Sequence, residues 1–210
     1  MKRYLLFPCL LLTATSAGAE DAWHLPLKLT DENTHIEFNV DTTWHVVTGV
    51  VHGVSGSAQL SNPNDAGSVA AEIHVPVTQI DTGWGMRNDS LYEHMAAPKF
   101  PEIVFTATSL AGGCTPEALE KAPCHGTLHG RLHIRDVEHE IDLPLDLKKE
   151  GDHIVASGEY KLEWASYHVD DPSIVMAKVE PVVAVTYRVE LPAGTTSTSE
   201  QQAAATKEGE

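Results

Sequence analysis

Twelve histidines in 210 residues invite a reading as metal ligands or proton carriers. The most suggestive set is His125, His129 and His133, spaced four apart. On a helix they would share a face, as in paired-histidine metal motifs. Their neighbours argue otherwise. Leu128, Gly130, Leu132 and Ile134 alternate with Thr127, His129, Arg131 and His133, which is a strand pattern. Residues four apart on a strand are separated by about 13 Å and cannot share one ion. These imidazoles therefore belong to a polar, solvated face. His45 and His52 remain as metal candidates, in a site assembled across neighbouring strands.

Other chemistry finds less support. Gly53-Val54-Ser55-Gly56-Ser57 lacks the final glycine of G-x-S-x-G and lies among β segments, not at a strand-to-helix elbow. Gly83 and Gly85 sit in no βαβ unit, so no phosphate-cradling loop is present. Carboxylates are plentiful, but sequence does not show that two of them converge. The expectation is a protein that binds and does not catalyse.

The N-terminus sets the compartment. Lys2 and Arg3, the apolar run from Leu5 to Leu12, and Ala17-Gly18-Ala19 form a secretory signal peptide over residues 1–19. The run is too short to span a bilayer. The predicted product is exported and soluble, without a stable membrane anchor, and limited to transient membrane contact. Its redox setting explains the cysteines: Cys9 leaves with the leader, and Cys114 and Cys124 pair in an oxidising compartment. Their spacing is not C-x-x-C, so a structural staple worth about 2–3 kcal/mol is favoured over a redox or metal role.

The formal charge of −16 comes from 14 Lys and Arg against 30 Asp and Glu. The leader holds two of the cations and no acid, so the exported chain is more acidic still. Nucleic acid is excluded as a partner, because a phosphate backbone needs a basic face. A peripheral grip on anionic lipid is excluded on the same ground.

Period-2 alternation runs through the body of the chain. It is clearest at 35–40, 70–77, 127–134 and 139–147. Further strands are predicted at 45–51, 54–60, 102–109, 153–163 and 179–190, separated by turn signals such as Asn62-Pro63-Asn64-Asp65 and Gly151-Asp152. One short helix is predicted over 88–97, with Asn88-Asp89-Ser90 as caps and Pro98 as its stop. Residues 192–210 have the composition of a disordered tail, leaving a single domain at 20–191. Such an all-β chain forms a sandwich or a closed barrel, and alternation does not choose between them.

One stretch carries a specific signal: Ile80-Asp81-Thr82-Gly83, then Arg87 and Leu91, then Lys99-Phe100-Pro101-Glu102-Ile103-Val104-Phe105. A strand ends at Asp81, glycines turn the chain, and a proline leads into the next strand. Asp81 and Arg87 are placed to pair across this turn. Gly126-Thr127-Leu128 with Ile134-Arg135-Asp136-Val137, Asp171-Pro172-Ser173-Ile174 with Lys178-Val179, Ile36-Glu37-Phe38, and Val47 to Gly56 complete an ordered series. The series resembles the YceI family of periplasmic polyisoprenoid-binding proteins over about residues 23–191.

The resemblance implies a lipocalin-like barrel of eight antiparallel strands, with a short helix near its opening and an isoprenoid lipid inside, a quinone among the candidates. Phe38, Val40, Ile73, Val75, Ile103, Phe105, Leu132 and Ile134 are then the expected lining. Trp44, Trp84, Leu91, Trp164, Tyr167 and Met176 are expected near the opening or as fillers. Ordinary core packing is the alternative for each. Metal binding through His45 and His52 is the competing function, and the chain is a monomer or a dimer.

Overall fold

The computed structural model describes residues 25–62 and 65–192. The expected leader and nearly all of the expected tail lie outside the described residues. Eleven strands form one antiparallel sheet: β1 (Leu27–Thr30), β2 (Thr34–Thr42), β3 (Val46–Val51), β4 (Ser55–Leu60), β5 (Val69–Pro76), β6 (Ile80–Asp81), β7 (Glu102–Ala111), β8 (Cys124–Ile134), β9 (Val137–Glu150), β10 (His153–Glu163) and β11 (Val179–Pro192). Two helices accompany them, α1 (Gly85–His94) and α2 (Pro116–Leu119).

The pairing shows that these strands are eight passes of the chain. β1 pairs with β4 from Leu27↔Ala58 to Thr30↔Ser55, and β2 pairs with β3 from Glu37↔Val50 to Asp41↔Val46. The segments 27–42 and 46–60 are thus two long neighbours, each broken once. β5–β6 is a third broken pass, lying on β4 through Ser55↔His74 and on β3 through Val51↔Ile80. β11 then pairs back onto β2, for example at Val185↔Phe38, and closes the ring. The eight-stranded barrel implied by the resemblance is present, with three of its strands interrupted.

Side chains and turns repair the interruptions. The Asp31 carboxylate accepts the N–H groups of Gly53 (2.7 Å) and Val54 (2.6 Å), joining the first two breaks. Gly53 has φ +69°, a conformation that favours glycine. At the third break, Val77–Gln79 forms a 3₁₀ turn, and the Gln79 carbonyl takes the His52 N–H at 3.0 Å.

One seam of the wall is incomplete. The β9–β10 ladder runs from His153↔Glu150 to Ser157↔Asp146 and stops, although both strands continue. Pro144 stands just beyond it and has no N–H to donate. Its carbonyl accepts the hydroxyl of Tyr187 from β11. That contact passes so close to Gly158 that a Cβ there would lie 2.2 Å from the Pro144 oxygen.

The two ends differ. At the α2 end, Leu25, Leu60, Leu110, Cys114, Leu119, Leu147 and Ile154 form a buried plug. The Cys114–Cys124 disulfide is formed, and Thr115 accepts the Ala118 N–H at 3.2 Å to open α2. At the α1 end, Leu91 and Tyr92 pack against Val51, Val54, Val75 and Ile80.

Helix α1 starts three residues earlier than the 88–97 predicted. Asn88 is not its cap. Its side-chain oxygen accepts the Thr82 N–H (2.9 Å) and hydroxyl (2.6 Å), and its amide donates to Asp81 (2.8 Å). The polar cluster read as a cap instead ties the helix back onto the end of β6. Ala96, at φ +51°, ends the helical segment before Pro98.

Candidate ligand cavity

The barrel encloses a cavity of about 360 Å³ extending from Leu25 and Leu191 at the α2 end to Leu91 and Met95 of α1. Its lining contains no charged residue. Alternation is the cause: successive side chains point to opposite faces, so the inward series on each strand is apolar and the outward one polar. On β8 and β9 the outward series is a charge ladder, with His125 facing Asp146, His129 facing Asp142 and Arg131 facing Glu140. The His125–Asp146 and His129–Asp142 contacts are 2.5 and 2.6 Å.

Phe38, Ile73, Val75, Leu91, Ile103, Phe105, Leu132, Ile134, Trp164 and Tyr167 all line this cavity. Four other expected residues do not. Val40 sits in the wall, paired with Val183 and Val47. Trp44, Trp84 and Met176 are 68%, 56% and 72% exposed. They lie on connections beyond the strand ends, where no partner strand directs them inward. Trp44 is held outside by its indole N–H, which donates to the Met176 carbonyl at 3.0 Å.

The alternation of 139–147 marked Ile141, Leu143, Leu145 and Leu147 as one apolar face, and all four line the cavity. The expected lining left them out although the same alternation had marked their face. Tyr160 and Tyr187 are further lining residues. Their inward placement follows from the parity of 153–163 and 179–190.

The expected Asp81–Arg87 pair is not formed. The Asp81 carboxylate accepts from the Asn88 amide and the Gly83 N–H, and these bonds hold its pKa below the usual carboxylate range. The Arg87 guanidinium turns the other way, donating to the Thr82 hydroxyl at 3.1 Å and lying 5.5 Å from the Trp84 ring centre. The guanidinium is instead committed to Thr82, donating to its hydroxyl and its carbonyl.

His45 and His52 do not converge. They stand seven residues apart along one pass, about 23 Å in extended chain. Among the described residues, no three His, Cys, Asp or Glu side chains are gathered to hold an ion.

Few polar atoms reach the cavity. Thr34 donates to Asn33 at 3.1 Å, the Trp164 indole donates to the Glu180 carbonyl at 3.0 Å, and Tyr187 donates to Pro144. Burial pushes the Tyr167 phenol up to about 12, with Tyr160 a smaller cause, and raises Tyr160 and Tyr187 as well.

The structure is thus a closed up-and-down barrel around a continuous interior with no charged lining residue. The chain belongs to the YceI-like domain family, whose model matches residues 27–191. Its fold is shared with Burkholderia cenocepacia BcnA, at TM-score 0.63 and 15% identity, covering 75% of this chain and 95% of that one. It is shared too with a polyisoprenoid binding domain from Saccharophagus degradans implicated in plant cell wall breakdown (TM-score 0.59, 14% identity, 77% and 94% covered). A Campylobacter jejuni YCEI protein is similar at TM-score 0.56 and 15% identity, with 93% and 100% covered. No curated protein sequence matches the chain.

Proposed function

We propose that this protein binds, stores or carries an isoprenoid lipid, a quinone among the candidates, in the periplasm. The observation that carries the reading is the uncharged cavity running between the two ends of the barrel. Each five-carbon isoprene unit buried there contributes about 3–4 kcal/mol before ordering costs. A few units therefore suffice for tight binding without a catalytic group. The polyisoprenoid-binding relative from Saccharophagus degradans supports the ligand class. The signal-peptide pattern and the Cys114–Cys124 bond support an oxidising compartment.

Gentle extraction followed by native mass spectrometry tests this. The expected result is a co-purifying apolar lipid, exchangeable for added polyprenyl probes. Protein that is repeatedly empty and takes up no polyprenyl probe would overturn the reading.

A further inference from the structure

The polar side chains of the cavity fall into two groups. Thr34, Trp164 and Tyr187 donate to protein acceptors. Tyr160 and Tyr167 line the same cavity, and neither hydroxyl has a hydrogen-bond partner among the described residues. Tyr167 is only 2% exposed. Neither hydroxyl is an enclosed, unsatisfied atom, since among the described residues that description fits Arg135 Nε alone; both phenols are donors open to an acceptor placed in the cavity.

The two phenols are close in the fold. Tyr160 lies on β10 above Ser157, where the ladder to β9 has already stopped. Tyr167 ends the 3₁₀ turn Trp164–Tyr167 that follows β10, with its ring edge-on to His139 of β9 at 4.9 Å. Tyr167 therefore stands at the α1 end, and Tyr160 lies deeper beside the incomplete seam, packed against the cluster of Phe105, Ala107 and Ile141. Burial raises both phenol pKa values, so each keeps its proton and acts as a donor at neutral pH. No Lys, Arg or His lines the cavity to accompany an anionic head.

We propose that Tyr160 and Tyr167 are a donor site for the neutral carbonyl end of the bound lipid, which they hold beneath α1 with its apolar chain directed toward the α2 end. The proposal rests on the reading of the cavity as a lipid site, and it adds the class of polar end that the site takes. A carbonyl oxygen accepts from phenols without bringing charge into the barrel. A phosphate in the same position would be buried without a counter-ion.

Three probes sharing one prenyl chain test it: a methyl ketone, the parent hydrocarbon and the monophosphate. Their affinities are compared for the exported chain and for Tyr160→Phe, Tyr167→Phe and the double variant. The ketone should bind the unaltered protein more tightly than the hydrocarbon, and the monophosphate most weakly. Each single change should weaken ketone binding about three- to tenfold and leave the hydrocarbon unchanged. The infrared carbonyl stretch of the ketone should shift to lower frequency in the unaltered protein and return toward its unbonded value in the double variant. If the unaltered protein binds ketone and hydrocarbon and the double variant does not weaken the ketone, the donor site is wrong and the lipid reading stands. Equal loss for both probes would assign the tyrosines to packing and also overturn the donor site. Failure of the unaltered protein to bind any of the three would remove the lipid reading itself.

Discussion

The two ends of the barrel are built on different principles. The α2 end is closed by apolar packing and a covalent bond: Cys114 joins Leu25, Leu60, Leu110, Leu119 and Ile154 in one buried cluster. The α1 end is closed by a helix with no fully buried residue, held by half-buried Leu91 and Tyr92 against Val51, Val54, Val75 and Ile80 and by hydrogen bonds around Thr82 and Asn88. Large apolar side chains left exposed gather at this second end, on the 42–46 hairpin, the start of α1 and the 168–178 connection. Val46, Met86, Ile174 and Val175 are among them. A fully buried apolar plug with a covalent bond is costly to open, whereas a helix that contributes only half-buried side chains is displaced with a smaller loss of buried area. For a barrel that carries a ligand, this difference predicts exchange at the α1 end and stability at the α2 end.

The largest effect should come from the plug. Replacing both Cys114 and Cys124 by Ser should destabilise the fold by about 2–3 kcal/mol, seen as a lower urea midpoint, with the ligand exchange rate unchanged. Faster exchange in this variant would show that the α2 end also opens. Asn88→Ala at the other end removes the acceptor shared by the Thr82 N–H and hydroxyl. The expected cost is about 1–2 kcal/mol, with faster ligand exchange measured by stopped-flow release. A loss of stability without faster exchange would separate the helix from the exchange route.

The contrast between the ends was only partly legible in the sequence. Alternation located most of the wall, because a strand with one dry and one wet face writes its periodicity into the chain. It could not distinguish eight passes from eleven strands: the breaks at 31–33 and 52–54 depend on Asp31 reaching across to Gly53 and Val54, a contact between residues more than twenty apart. The four-residue β1 was too short to show a period. Lining residues on strands followed from parity, whereas Trp44, Trp84 and Met176 lie on connections where parity gives no direction. The Asp81–Arg87 pair failed for a related reason, since sequence shows opposite charges but not that Thr82 takes the Arg87 guanidinium. Tyr167 was expected near the opening or as a filler and Tyr160 was not among the expected residues, and the lack of partners of both is a property of the assembled barrel.

The exposed apolar residues at the α1 end give the next prediction. Met86→Ser with Met176→Ser changes side chains that are 71% and 72% exposed, so stability should move by less than about 0.5 kcal/mol. If this end receives lipid from a bilayer, transfer of a fluorescent polyprenyl probe from zwitterionic vesicles should slow severalfold. Binding of the same probe from detergent should be unaffected. Unchanged vesicle transfer would detach the apolar rim from exchange.

The smallest effect concerns the wall near the same end, where His74 on β5 sits between two carboxylates. Its Nε2 is 2.8 Å from Glu72 and its Nδ1 3.0 Å from Glu102 of β7. The Glu72 bond first, then the Glu102 bond, raise the imidazole pKa above 6.5 against a smaller opposing effect of burial. The folded state therefore holds this proton more tightly than the unfolded chain does. The resulting stability is complete below about pH 6.5 and is lost as pH rises through the higher folded value. The site is partly exposed and screened, so the contribution should stay under about 1 kcal/mol. Comparing His74→Gln with the unaltered protein from pH 5.5 to 8.5 isolates it, because all other histidines are common to both. The difference in urea midpoint should be largest at pH 5.5 and shrink toward pH 8.5. A difference independent of pH would mean that the imidazole acts through packing between β5 and β7, not through its charge.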